Sequence, residues 1–192
     1  MKHLRALLFA AMAVVVAYGQ DDTPYQVKYA SNLNIGDSVF NITNSGASGG
    51  NICVSVYTFS PDEQEVSCCT CTVTPNALVS LSAKTDLVSN TLTPAVPTSI
   101  VVKLVATSGG ACNASVQGAP APGLVAWGTT LHANTAAAAG TYALTETAFT
   151  PATLGTAEYT RITALCGFIQ SNGSGFGICR SCRLGGLGAV AQ

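Results

Sequence analysis

The chain has 192 residues, 48% of them apolar, 9% charged and 7% aromatic, with a formal net charge of −1. The apolar share is enough to fill a core and excludes a disordered tail, while the charged share lies far below the roughly 25% of soluble globular domains. Beyond the first few residues the basic side chains Lys28, Lys84, Lys103, Arg161, Arg180 and Arg183 are scattered. That excludes a nucleic-acid partner, which needs clustered lysine and arginine to displace counterions.

Lys2, His3 and Arg5 precede an uninterrupted apolar run over residues 6–17, and Ala17-Tyr18-Gly19 puts small residues where a signal peptidase cuts. Residues 1–19 therefore read as a secretory signal peptide, and 20–192 as a single mainly β domain. The apolar run falls short of the roughly 20 residues of a spanning helix, and the tail 184–192 is too short and glycine-rich to anchor. The expectation is a secreted protein, extracellular or periplasmic, with no stable membrane insertion once the signal is removed.

After a polar lead at 20–24, short strands follow one another. Val27 and Tyr29 alternate with Gln26 and Lys28. In 37–43, Phe40 and Ile42 occupy alternate positions before the turn Asn44-Ser45-Gly46. Ile52, Val54 and Val56 alternate with Cys53, Ser55 and Tyr57, and Ser60-Pro61-Asp62 closes that segment. Runs at 77–81 and 99–106 have strand length and composition, and Ser108-Gly109-Gly110 ends the second. Residues 118–123 (Gly-Ala-Pro-Ala-Pro-Gly) form the strongest break, a loop or sub-boundary. Strands are expected again at 124–131 and 142–147, on either side of the alanine-rich stretch 136–139. The spacing suggests an antiparallel sandwich or barrel-like sheet.

One helix is expected near the end, with Leu154, Ala157, Ile162, Leu165, Phe168 and Ile169 forming an apolar stripe. Thr150 would cap it, Pro151 would take its first position, and Asn172-Gly173 would stop it. It should pack on the sheet with Cys166 on the buried side.

Eight cysteines, Cys53, Cys68, Cys69, Cys71, Cys112, Cys166, Cys179 and Cys182, lie beyond the signal. An even count in an exported chain reads as four disulfides stapling the fold. Pairing is open, since eight cysteines allow 105 arrangements. The preferred one ties Cys166 to Cys179 or Cys182 and keeps the first five mainly among themselves. Because five is odd, at least one bridge must join the two groups.

Several patterns resemble catalytic or binding motifs. Cys179-Arg180-Ser181-Cys182 is a C-x-x-C, and a secreted thiol–disulfide redox protein would use it, but no helix start accompanies it. Zinc would need a second such pair, and a haem would need a histidine after Cys182. Gly46-Ala47-Ser48-Gly49-Gly50 matches G-x-S-x-G, with Asp62 or Asp86 and then His132 in the order of a hydrolase triad, yet a strand follows where a helix is required. Asp62, Glu63 and Glu65 lack the spacing of a calcium loop. Gly173-Ser174-Gly175-Phe176-Gly177 follows a helix rather than a strand, unlike a nucleotide loop. Sequons stand at Asn41, Asn113 and Asn172.

No catalytic, metal or cofactor site is expected. The leading expectation is a secreted structural or adhesive surface domain, non-enzymatic, that self-associates through an exposed strand edge. The alternative is an extracellular carbohydrate- or ligand-binding module, with Trp127, Tyr142, Tyr57 and Phe59 as the candidate contact residues.

Overall fold

A computed structural model describes residues 23–133, 141–180 and 182–184. The expected signal peptide at 1–19, the alanine-rich stretch and most of the tail lie outside the described residues. The chain forms β1 (Tyr25–Ala30), β2 (Val39–Asn44), β3 (Ile52–Phe59), β4 (Glu65–Val73), β5 (Leu78–Ser82), a single π-turn (Ala83–Leu87) and β6 (Ile100–Ser108). There follow β7 (Leu124–Ala133), β8 (Tyr142–Ala148), β9 (Thr150–Pro151), α1 (Thr156–Ser171) and β10 (Arg183–Leu184).

Two antiparallel five-stranded sheets result, β4-β3-β6-β1-β9 and β10-β5-β2-β7-β8. They stack face to face as a β-sandwich, and α1 lies on the outer face of the first sheet. Phe40, Ile42, Ile52, Val54, Val56, Leu81, Val102, Leu104 and Leu124 fill the space between the sheets. A second core forms under the helix from Tyr25, Tyr57, Phe59, Val105, Tyr159, Ile162 and Ile169. The first sheet is thus covered on both sides, and β3 is buried at every residue. Among the described residues no helix is long and apolar enough to cross a membrane.

Several elements depart from the sequence expectation. The helix starts at Thr156 behind Gly155, while Thr150 and Pro151 form the edge strand β9; an edge tolerates proline because its missing N–H faces away from the ladder. The buried stripe is Tyr159, Ile162, Thr163, Cys166 and Ile169, whereas Phe168 is 61% exposed. The expected stop holds: Asn172 caps the helix and Gly173 has φ +68°. The cysteine-rich stretch at 68–71, for which no element is expected, is part of strand β4. Residues 118–123 run along β6, with Ser108 N–H donating to Ala119 O and Ala121 N–H to Ala106 O.

All eight cysteines are bridged, as Cys53–Cys112, Cys68–Cys166, Cys69–Cys179 and Cys71–Cys182, with Cα separations of 5.4–5.8 Å. This overturns the preferred pairing of Cys166 with Cys179 or Cys182. Three bridges join the first group to the last, which meets the parity requirement of at least one, and Cys53–Cys112 alone stays within the first five. Side chains alternate across a strand, so Cys68 points out to α1 while Cys69 and Cys71 point into the sandwich. Adjacent cysteines thereby staple two different layers. Such bridges belong to an oxidising environment.

Candidate functional site

The two sheets treat their edges differently. β4 is covered by the returning chain: Cys68 N–H donates to Gly177 O (2.8 Å) and Cys179 N–H to Cys68 O (3.1 Å). The glycine loop at 173–177 serves this return, with Gly173, Gly175 and Gly177 all at positive φ. Gly177 passes so close to α1 that a Cβ there would meet Ile169 at 2.7 Å. β9 and β10 are two-residue strands. β8 is different. It pairs with β7 over seven residues, and among the described residues nothing pairs with its other side.

Every residue of β8 is exposed, including Tyr142 at 45% and Leu144 at 54%. Its sequence, Tyr-Ala-Leu-Thr-Glu-Thr-Ala, holds no proline, lysine or glycine. Natural edges are commonly blunted by lysine, proline or a bulge. Here Glu146 is the one charge. The register with β7 places Leu144 opposite Leu131 and Thr145 opposite Thr130, so Tyr142, Leu144, Glu146 and Ala148 share the outer face.

The four candidate aromatics do not form one surface. Tyr57 and Phe59 are buried beneath α1. Tyr57 Oη donates to Ala114 O at 2.8 Å, and burial, more than its polar neighbours, pushes its pKa well above the usual phenol range. The Phe59 ring lies between Lys103 Nζ at 4.3 Å and the Arg161 guanidinium at 5.8 Å. Trp127 and Tyr142 share the outer face of the second sheet, but six residues of strand, about 20 Å, separate them.

The remaining motifs are also dispersed. Cys179 and Cys182 are tied to separate partners, so they form no dithiol pair. Ser48 Oγ donates to Gly50 O within its own turn, while His132 Nε2 meets Thr145 Oγ1 at 2.8 Å on the β7–β8 ladder. Asp62 accepts from Ser60 in a tight turn. Glu65 is buried beside the Cys68–Cys166 bridge, the one grouping of potential metal-ligating side chains among the described residues. Both its sulfurs are consumed by the disulfide, which leaves a single carboxylate to hold an ion.

Sequence reasoning missed the position of Glu65. Thr58 pairs with Ser67 and Phe59 with Glu65, leaving Val66 extra on β4. That bulge turns Glu65 to the helix side. No protein-family model, curated protein or solved structure matches the chain significantly.

Proposed function

We propose that the chain is an exported structural or adhesive domain, without catalytic chemistry, that joins a second copy of itself by strand addition at β8. The observation that carries this reading is the long, fully exposed edge of β8, which holds no proline, lysine or glycine and a single charge, Glu146. Antiparallel pairing of two β8 strands about Thr145 sets Leu144 opposite Glu146 of the other copy and Tyr142 opposite Ala148. No like charges then face each other, which cross-strand pairing requires. Low charge and four bridges suit a durable exported building block. The signal-like residues 1–19 support export.

The test is the molar mass in solution across a concentration series, for the parent and two variants. Leu144→Lys sets an ammonium opposite Glu146 in the paired state, and Leu144→Glu sets two carboxylates together. Each contact occurs twice in a two-fold pair, at roughly 0.2–1 kcal/mol apiece. Leu144→Glu should therefore weaken association by up to about 30-fold, while Leu144→Lys retains or strengthens it. A parent that stays monomeric at millimolar concentration, or variants that behave alike, would sink the proposal.

A further inference from the structure

A groove of about 520 Å³ lies where the inner face of β7 and β8 overhangs the edge of the first sheet. It opens because β9 pairs only with Gln26 and Val27, so β1 runs on uncovered from Lys28. Its size falls within the roughly 300–1,000 Å³ of small-molecule sites.

The lining is rich in hydroxyls, from Thr130, Thr145, Thr147 and Thr150, with His132 beside them and Tyr29 at the rim, 55% exposed. Lys28 enters from the first sheet and is 7% exposed. Its ammonium donates to Thr147 Oγ1 at 2.6 Å and to Thr147 O at 3.2 Å. An ammonium has three hydrogens to donate. The two ion pairs among the described residues both involve Glu158, so Lys28 is ion-paired with no carboxylate, and the Phe149 ring centroid lies 6.0 Å from its ammonium. Buried charges are normally paired. Burial lowers the Lys28 pKa, and Glu146 acts in the opposite sense. Gly128 gives the lysine stem its passage, since a Cβ there would stand 3.3 Å from Lys28 Cε.

We propose that this groove binds an acidic sugar of the uronic type, its carboxylate taken by Lys28 and its hydroxyls by the threonines and His132, with the exposed ring of Tyr29 available to the sugar face. A buried cation without an ion-pair partner asks for an anion. A wall of hydroxyls and an imidazole asks for a polyhydroxylated one, since such groups both donate and accept. The groove lies on a face of β8 rather than along its free edge, so this site stands independently of strand pairing.

The experiment is calorimetric titration of the protein with a uronic-acid disaccharide, the matching neutral disaccharide and acetate. The uronate should bind saturably and at least ten-fold more tightly than either control. Lys28→Met, which keeps the stem and removes the charge, should abolish that preference. Tyr29→Ala, at an exposed position where folding is not at stake, should weaken the uronate and leave acetate unchanged. Absence of saturable uronate binding at 10 mM, equal binding of the neutral sugar, or an unaltered preference in Lys28→Met would each overturn the assignment. Equal binding of acetate would reduce the site to a simple carboxylate pocket and overturn the sugar half of it.

Discussion

The most exacting test of the fold concerns Glu65. The residue is 5% exposed with both carboxyl oxygens buried, neither oxygen has a hydrogen-bond partner among the described residues, and the carboxyl lies against the Cys68–Cys166 bridge under α1. Burial pushes its pKa from 4.5 up to about 8; Lys103 and Arg161 pull it down, and Glu158 adds to the rise. Lys103 does not neutralise it, being engaged with Glu158. The unfolded chain releases this proton above pH 4.5, whereas the folded chain holds it to about pH 8. Between those values the native state binds more protons, so stability must fall as pH rises. The contribution is fully present below pH 4.5 and gone above pH 8. A pKa displaced that far corresponds to roughly 5 kcal/mol, an upper figure that relaxation around the carboxylate would reduce. Glu65→Gln keeps the shape and cannot ionise. Urea unfolding of both proteins from pH 4 to pH 9 is the assay. The two should agree within about 1 kcal/mol at pH 4, and the variant should be the more stable by several kcal/mol at pH 8.5. Groups common to both proteins cancel in that difference. Parallel pH profiles for the two proteins would refute the burial of an uncompensated acid.

Proteolytic cleavage between residues 118 and 123 should leave two fragments that part only under reductant, because three bridges cross that point; fragments that separate before reduction would refute the pairing. Replacing Cys68 and Cys166 together by alanine removes a cross-link spanning 98 residues. Cys69–Cys179 still closes nearly the same loop, so only the short ring through residues 166–179 is released; denaturant unfolding should show a loss of about 3 kcal/mol, and hydrogen exchange should place the new mobility in α1. Gly128→Ala would bring a Cβ to 2.7 Å from both Phe40 Cδ1 and Val39 O. Thermal unfolding should register a loss of about 1–3 kcal/mol, and a neutral outcome would contradict the close packing of β2 on β7.

Strands were legible where a period of two survives in the sequence, even in β3, which is buried at every residue: Phe40 and Ile42, and Ile52, Val54 and Val56, all point into the sandwich. Legibility failed where that period is lost. β4 carries Cys68 and Cys69 side by side, one buried toward α1 and the other packed toward the sandwich core, so no alternation marks it as a strand. In β1 the alternation misleads. Tyr29 faces solvent while Gln26 and Lys28 are buried, because Gln26 donates to Leu124 O and Lys28 to Thr147 across the sandwich. The candidate groove was therefore invisible: its cation reads as a surface lysine. Thr150-Pro151 has the chemistry of a helix start, but pairing with Gln26 and Val27 claims it for the sheet. The pairing of cysteines depends on which strand faces meet, and that is settled only once the sandwich is assembled.

The bridges are unevenly placed, and the unevenness bears on function. Three of the four spring from β4 and the fourth from β3. They bind the first sheet to α1, to the loop after β6 and to the returning chain that reaches β5 through β10. None touches β7, β8 or β9. One side of the sandwich is thus covalently closed, with its edge strand covered, while the other is held by the β7–β8 ladder and by Lys28, Phe149 and the short β9. An edge that is to accept another strand cannot be covered, and a groove that is to admit a ligand cannot be filled. Both requirements cost local stability. A chain with few charges and a modest aromatic content can meet that cost if the opposite side is cross-linked. The proposed strand-addition edge and the proposed acidic-sugar groove both lie on the side without bridges, where the physical chemistry of the fold leaves room for them.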